Sequence, residues 1–152
     1  MSMVLDRAQV NAEKKQFQHI VEDITGTLPA VQWRYSAYSN EHFPLRAYAS
    51  ALRGSGPDAD EALVIAVTWR NPQDGKGDRL VVGASILDED GVVLAESPRF
   101  EIPVPDESVV LGFSGRVIQD VTNEVRAAML NVGQWLDSQT ATIQCNLLMD
   151  DV

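Results

Sequence analysis

ALVIAVTWR at residues 62–70 and RLVVGASIL at residues 79–87 decide the fold. Both runs are rich in β-branched and apolar residues, and both are too short and too branched to read as buried helices. Between them lies NPQDGKGD, residues 71–78, a string of turn formers. A link this short joins antiparallel neighbours, because a parallel pair needs a crossover of roughly a dozen residues or more. Similar runs lie to either side: VQWRYSAY (31–38), PLRAYASALR (44–53) and VVLAESPRFEI (92–102). They are set off by SNEHF, GSGPDADE and DEDG, and Asp90-Gly91 between apolar runs is a strong hairpin signal.

Helical periodicity flanks the strands. Over residues 5–25, Val10, Phe17, Ile20, Val21 and Ile24 share one face, with Lys15, His19 and Glu22 opposite; Gly26 and Pro29 then end the pattern. Over 116–137, Val117, Val121, Val125, Ala128, Val132 and Trp135 recur at three- and four-residue steps. Residues 143–149 fit a short strand or a docked tail. The pattern predicts an α+β domain: an antiparallel meander of about five strands, flanked by an N-terminal helix (about 5–25) and a long C-terminal helix (about 116–137). At 152 residues and 45% hydrophobic content, residues 1–152 are expected to form a single domain.

Strands 62–70 and 79–87 depart from the alternation of a sheet with one wet face. Leu63, Ile65, Val67 and Trp69 oppose Ala62, Val64 and Ala66, while Leu80, Val82, Ala84 and Ile86 oppose Val81, Gly83 and Leu87. Both faces of the sheet centre are therefore apolar. Either the two helices divide between the faces, or the sheet curls around a cavity, or the second face meets another chain.

Bulk charge narrows the partners. Residues 1–57 hold six basic and five acidic residues, leaving the remainder at −11 of the total −10. That balance opposes nonspecific nucleic-acid binding, which runs on phosphate neutralisation, and it is compatible with a basic protein partner or simply with soluble acidic loops. One cysteine, Cys145, excludes an intramolecular disulfide. The charged N-terminus does not read as a signal peptide, and no apolar run approaches the roughly 20 residues of a membrane helix. The expected setting is cytoplasmic, without membrane attachment.

Candidate chemistry resolves mostly into structure. Ser114 in LGFSGRV (111–117) lacks the second glycine of a nucleophile elbow, since Arg116 stands there, and both histidines precede it. It reads as a helix cap. QDGKGDR (73–79) lacks the ending and the strand-to-helix setting of a phosphate loop. The groups Asp58, Asp60, Glu61 and Asp88, Glu89, Asp90 lack calcium-loop spacing. His19 and His42 read as solvated and Cys145 as a small buried hydrophobe. No catalytic residue, metal ligand or cofactor site is assigned, and no cofactor is expected.

One constellation remains. If the 39–43 turn has five residues, even-numbered positions of the first two strands share a face, placing Arg34, Ser36 and Tyr38 beside Arg46, Tyr48 and Ser50. Thr68 and Arg70 extend that face from the third strand. Arg and Tyr favour interfaces, and Arg suits carboxylate contacts. Arg34, Tyr38, Arg46, Tyr48, Thr68 and Arg70 are the candidate interface or ligand residues. The helix–sheet–helix order resembles that of helix-grip ligand binders and of small secretion-chaperone and immunity-type proteins, at the level of element order alone. The expectation is a non-catalytic cytoplasmic interaction protein, a homodimer or a partner-binding, chaperone-like accessory factor. The alternative is an apolar small-molecule pocket between a curled sheet and the C-terminal helix, with lyase or isomerase activity.

Overall fold

The computed structural model describes residues 5–24, 33–53, 59–70, 77–104, 118 and 121–139. In chain order these form α1 (Arg7–Ile24), β1 (Trp33–Tyr38), β2 (Leu45–Arg53), β3 (Asp60–Arg70), β4 (Arg79–Leu87), β5 (Val93–Glu96), β6 (Phe100–Pro103) and α2 (Thr122–Ser138). The sheet is antiparallel in the order β1-β2-β3-β4-β5, and β6 also pairs with β4. The α+β class and the meander match the reading of the sequence. Ser114, Cys145 and residues 143–149 lie outside the described residues, as does Asp58.

One detail differs from expectation. The run 92–102 is two strands, not one, pairing with opposite ends of β4. Ser97 makes the break. Its N–H donates to the Ala84 carbonyl at 2.9 Å, and its Oγ accepts from the Ala84 N–H at 2.9 Å. Both backbone groups of Ala84 are thus satisfied by one residue, and Pro98, having no N–H, cannot continue the ladder. The C-terminal helix is described over Thr122–Ser138, and Ile118 ahead of it is also helical. Of the three arrangements left open for the sheet faces, division of α1 and α2 between them is not the one observed. α1 lies over β1 and β2, α2 lies over β4 and β6, and the helices touch each other.

The core between sheet and helices is built from one residue parity. Leu45, Ala47, Ala49 and Ala51 of β2 pair with Trp69, Val67, Ile65 and Leu63 of β3. Those in turn pair with Leu80, Val82, Ala84 and Ile86 of β4. All are buried, together with Phe17, Ile20 and Val21 of α1 and Val125, Ala128, Met129, Val132 and Leu136 of α2. The alanine row of β2 gives α1 its close approach, since a helix seats nearer a sheet where side chains are short.

Polar ties fix the helices. Asp6 and Gln9 cap α1 reciprocally, the Gln9 N–H donating to Asp6 Oδ1 at 2.8 Å and the Asp6 N–H to Gln9 Oε1 at 3.0 Å. Buried Glu13 accepts from the Ile118 N–H at 3.0 Å, joining α1 to the chain ahead of α2. Gln16 donates to Thr122 Oγ1 at 3.4 Å, and Arg126 pairs with Asp23 at 2.8 Å. In the β4–β5 turn, Asp88 Oδ1 accepts from the N–H groups of Asp90 and Val92 at 2.9 and 2.8 Å, while Gly91 takes φ 80°. The Asp88 carboxylate is thereby engaged in turn geometry.

Candidate functional site: the helix-free face of the sheet

The second face of the sheet carries the other parity. Arg34, Ser36 and Tyr38 of β1 stand opposite Ser50, Tyr48 and Arg46 of β2. Arg46, Tyr48 and Ser50 stand opposite Thr68, Ala66 and Val64 of β3, and Ala66 faces Gly83 of β4. The strand partners place Tyr38 against Arg46, two residues further along β2 than the Pro44 that a five-residue turn over 39–43 implies. The slip is even, so the predicted faces survive. Among the described residues no helix covers this face, and it is helix-free in that sense. The apolar residues at its centre are small and half-buried (Val64, Ala66, Val81, Gly83), while the large ones of β3 and β4 lie on the core side except Leu87 at the end of β4.

Two hollows lie on this face. The first, 200 Å³, is lined by Arg46, Thr68, Arg70, Ser85, Glu96 and Arg99 around a floor of Ala66, Val81 and Gly83. The second, 330 Å³, is lined by Tyr38, Arg46, Tyr48, Glu61, Leu87 and Val93. Arg46 is common to both.

Its setting is specific. Nη1 of Arg46 donates to the Tyr38 hydroxyl at 3.3 Å, and the guanidinium carbon sits 5.4 Å from the Tyr48 ring centre. The rings of Tyr38 and Tyr48 meet edge to face, with centroids 6.4 Å apart at 75°. Two aromatic side chains thus hold one guanidinium by hydrogen bonding, cation–π attraction and ring packing. Nε of Arg46 is buried and has no hydrogen-bond partner among the described residues. A buried donor left bare costs about 1–3 kcal/mol, and a turn of the Arg46 side chain toward the hollow would let an incoming oxygen reach it and relieve that penalty.

Arg70 is held by the β1–β2 loop. Asn40 Oδ1 accepts from the N–H groups of His42 and Phe43 at 2.9 and 2.8 Å, and the Asn40 N–H donates to the Phe43 carbonyl at 2.9 Å. That turn sets Phe43 beside Arg70, whose guanidinium carbon lies 5.7 Å from the ring centre. Ser50 donates to the Glu61 carboxylate. Glu61 reaches this face because pairing shifts between Ala51 and Leu52, which leaves Ala62 as an extra residue on β3.

Of the sequence-predicted residues, Tyr38, Arg46, Tyr48, Thr68 and Arg70 converge on the two hollows. Arg34 shares the face but lines neither. Phe43, Glu61, Glu96 and Arg99 join the site unannounced. Phe43 had the Asn40 turn as a readable signal. Glu61 depended on a bulge, and Arg99 on the Ser97–Pro98 break. His19 and His42 are exposed and line neither hollow. Among the described residues no group of three or more His, Cys, Asp or Glu is placed to hold a metal ion.

Comparison with known proteins returned no match among family models, curated proteins or solved structures.

Proposed function

We propose that this chain is a non-catalytic interaction protein that binds a protein partner on the helix-free face of its sheet. The observation that carries the reading is the division of labour between faces. Both helices pack on one side, and the other holds Arg46, clasped by Tyr38 and Tyr48, at the junction of two half-open hollows. Tyr and Arg anchored near the centre of a face are the residue types that dominate interface energetics. Openness supports a partner's side chains over a free small molecule. Ligand pockets generally span about 300–1,000 Å³ and enclose their ligand. Both hollows are half-open; the second reaches the lower end of that range at 330 Å³, and the one bounded by Arg46, Arg70 and Arg99 is 200 Å³, room for one inserted side chain. The absence of helices long and apolar enough to cross a membrane among the described residues, and the single cysteine, are compatible with a cytoplasmic setting.

The test is site-specific photocrosslinking in native cells. A photoreactive residue replacing Thr68 is expected to give one discrete protein adduct. The same residue at exposed Gln134 on α2 is expected to give none. Equal adducts at both positions, or none at Thr68, would remove the face from consideration as a docking surface.

A further inference from the structure

The bulk charge of −10 is compatible with a basic partner, but the helix-free face has its own charge. Around the smaller hollow stand Arg46, Arg70 and Arg99, with Glu96 as the one acidic side chain among the described residues of its rim. Resting on the docking reading above, we infer that this hollow receives a carboxylate carried on an acidic segment of the partner protein.

Arg46 supplies the anchor. Its Nη1 is directed to Tyr38, leaving the Nε side of the guanidinium without a partner among the described residues. A carboxylate satisfies an arginine edge with two parallel N–H···O bonds, and such charge-assisted bonds are about twice as strong as neutral ones. Arg70 lies two residues beyond Thr68, the cross-strand partner of Arg46, and lines the same hollow. Thr68, Ser85 and Ser97 add hydroxyls to its wall. Arg79, further along β4, is instead paired with Glu101 at 3.3 Å and is already engaged. A phosphate backbone has the right sign but the wrong context. Glu61, Glu96 and Glu101 lie along the same face, and a chain of net −10 repels a polyanion as it approaches. One or a few carboxylates flanked by apolar residues fit better, with the apolar neighbours placed over Leu87 and Val93 in the adjoining hollow.

The probe is a fluorescein-labelled peptide of alternating Asp and Leu, set against a Lys/Leu peptide, a Ser/Leu peptide and a thymidine oligonucleotide of equal length. Binding is followed by anisotropy and by amide shifts of Tyr48, Thr68, Val81 and Ser85. The acidic peptide is expected to bind and to move those amides. Arg46→Ala and Arg70→Ala should each weaken it about tenfold or more. Arg46→Lys should not restore affinity, because an ammonium cannot match the fork geometry. Lys15→Ala, which removes the same charge from exposed helix surface, should leave affinity at the parent value. Arg70 is exposed, so its variant keeps the test open even where Arg46→Ala loses amide dispersion. Acidic-peptide binding that is indifferent to both arginines overturns the inference, as does preferential binding of the oligonucleotide. Preference for the basic or neutral peptide with the same amides moving overturns the carboxylate assignment while leaving the docking face intact. No shift at those amides with any peptide removes both.

Discussion

Tyr35 illustrates how much a single position depends on its surroundings. It sits on the core side of β1, paired with Ala49 and packed against the hydrophobic core. Burial first, and the nearby Glu22 carboxylate second, push its hydroxyl above the ordinary value of 10.0. The folded state therefore holds this proton more tightly than the unfolded chain does. The resulting stability is present below pH 10 and is lost as pH rises through the folded value. Above pH 10 the parent should lose stability more steeply than Tyr35→Phe, as read by urea midpoints at successive pH values. Glu22→Gln should bring the Tyr35 titration part of the way back, which ultraviolet difference absorbance measures. Identical slopes for parent and Tyr35→Phe would contradict this assignment. Arg53 makes a second residue-scale case. It is wholly buried, donating to Asp60 at 2.6 Å and to the Leu87 carbonyl at 2.8 Å. Asp60 remains partly exposed, so Arg53→Ala leaves no stranded charge. The cost is the loss of charge-assisted bonds, about 1.5–3 kcal/mol by chemical denaturation. A change near zero would show that water replaces the guanidinium. The sequence offered no sign of this role, because a guanidinium at a strand end beside a polar loop has the pattern of a solvated residue.

At the scale of elements, periodicity was legible wherever neighbours did not alter it. The cross-strand parity of β1 and β2 followed from alternation alone, and it tolerated a loop longer than expected because the slip was even. The β5–β6 break was not legible. Its cause is a tertiary bond between Ser97 and Ala84, thirteen positions apart, which no local pattern announces. Ser97→Ala should leave the buried Ala84 N–H bare and cost about 1–3 kcal/mol. It should also raise hydrogen exchange at Ala84 selectively; unchanged protection there would show that β5 and β6 are held apart by Pro98 alone. The alanine row of β2 was visible, but its meaning was open, since small residues leave room for a ligand or for a helix. The structure fills that room with α1. Ala49 is fully buried opposite Ile65, on the face that α1 packs against, so Ala49→Leu should destabilise by about 1–3 kcal/mol through overpacking. A neutral or stabilised variant would reveal unfilled space beneath α1.

At the scale of the whole molecule, the sequence marked the sheet centre as apolar on both sides, and the structure gives that observation a direction. Residue volume separates the faces: Leu63, Ile65, Val67 and Trp69 go inward, while Val64, Ala66 and Thr68 go outward. Counting apolar residues without weighing their size treated the faces as equivalent. The helix-free face consequently needs a partner of modest apolar content and suitable charge more than it needs a large hydrophobic cover. That bears on self-association. A two-fold dimer is isologous, so residues near its axis meet their own copies. Closing this face on itself would bring Arg46 and Arg70 toward Arg46 and Arg70, between two chains each at −10. A head-to-tail contact between the arginine face and an acidic loop does not close and would be weakened by salt. Purified protein is therefore expected to sediment as a 16.7 kDa monomer across micromolar concentrations at physiological salt. Any association at low salt should be abolished equally by Arg70→Ala and by added sodium chloride. A dimer that persists in high salt and in Arg70→Ala would place the self-contact elsewhere, on the exposed apolar strip of Val92, Val93 and Leu94 at the sheet edge, and Val93→Asp would then dissociate it.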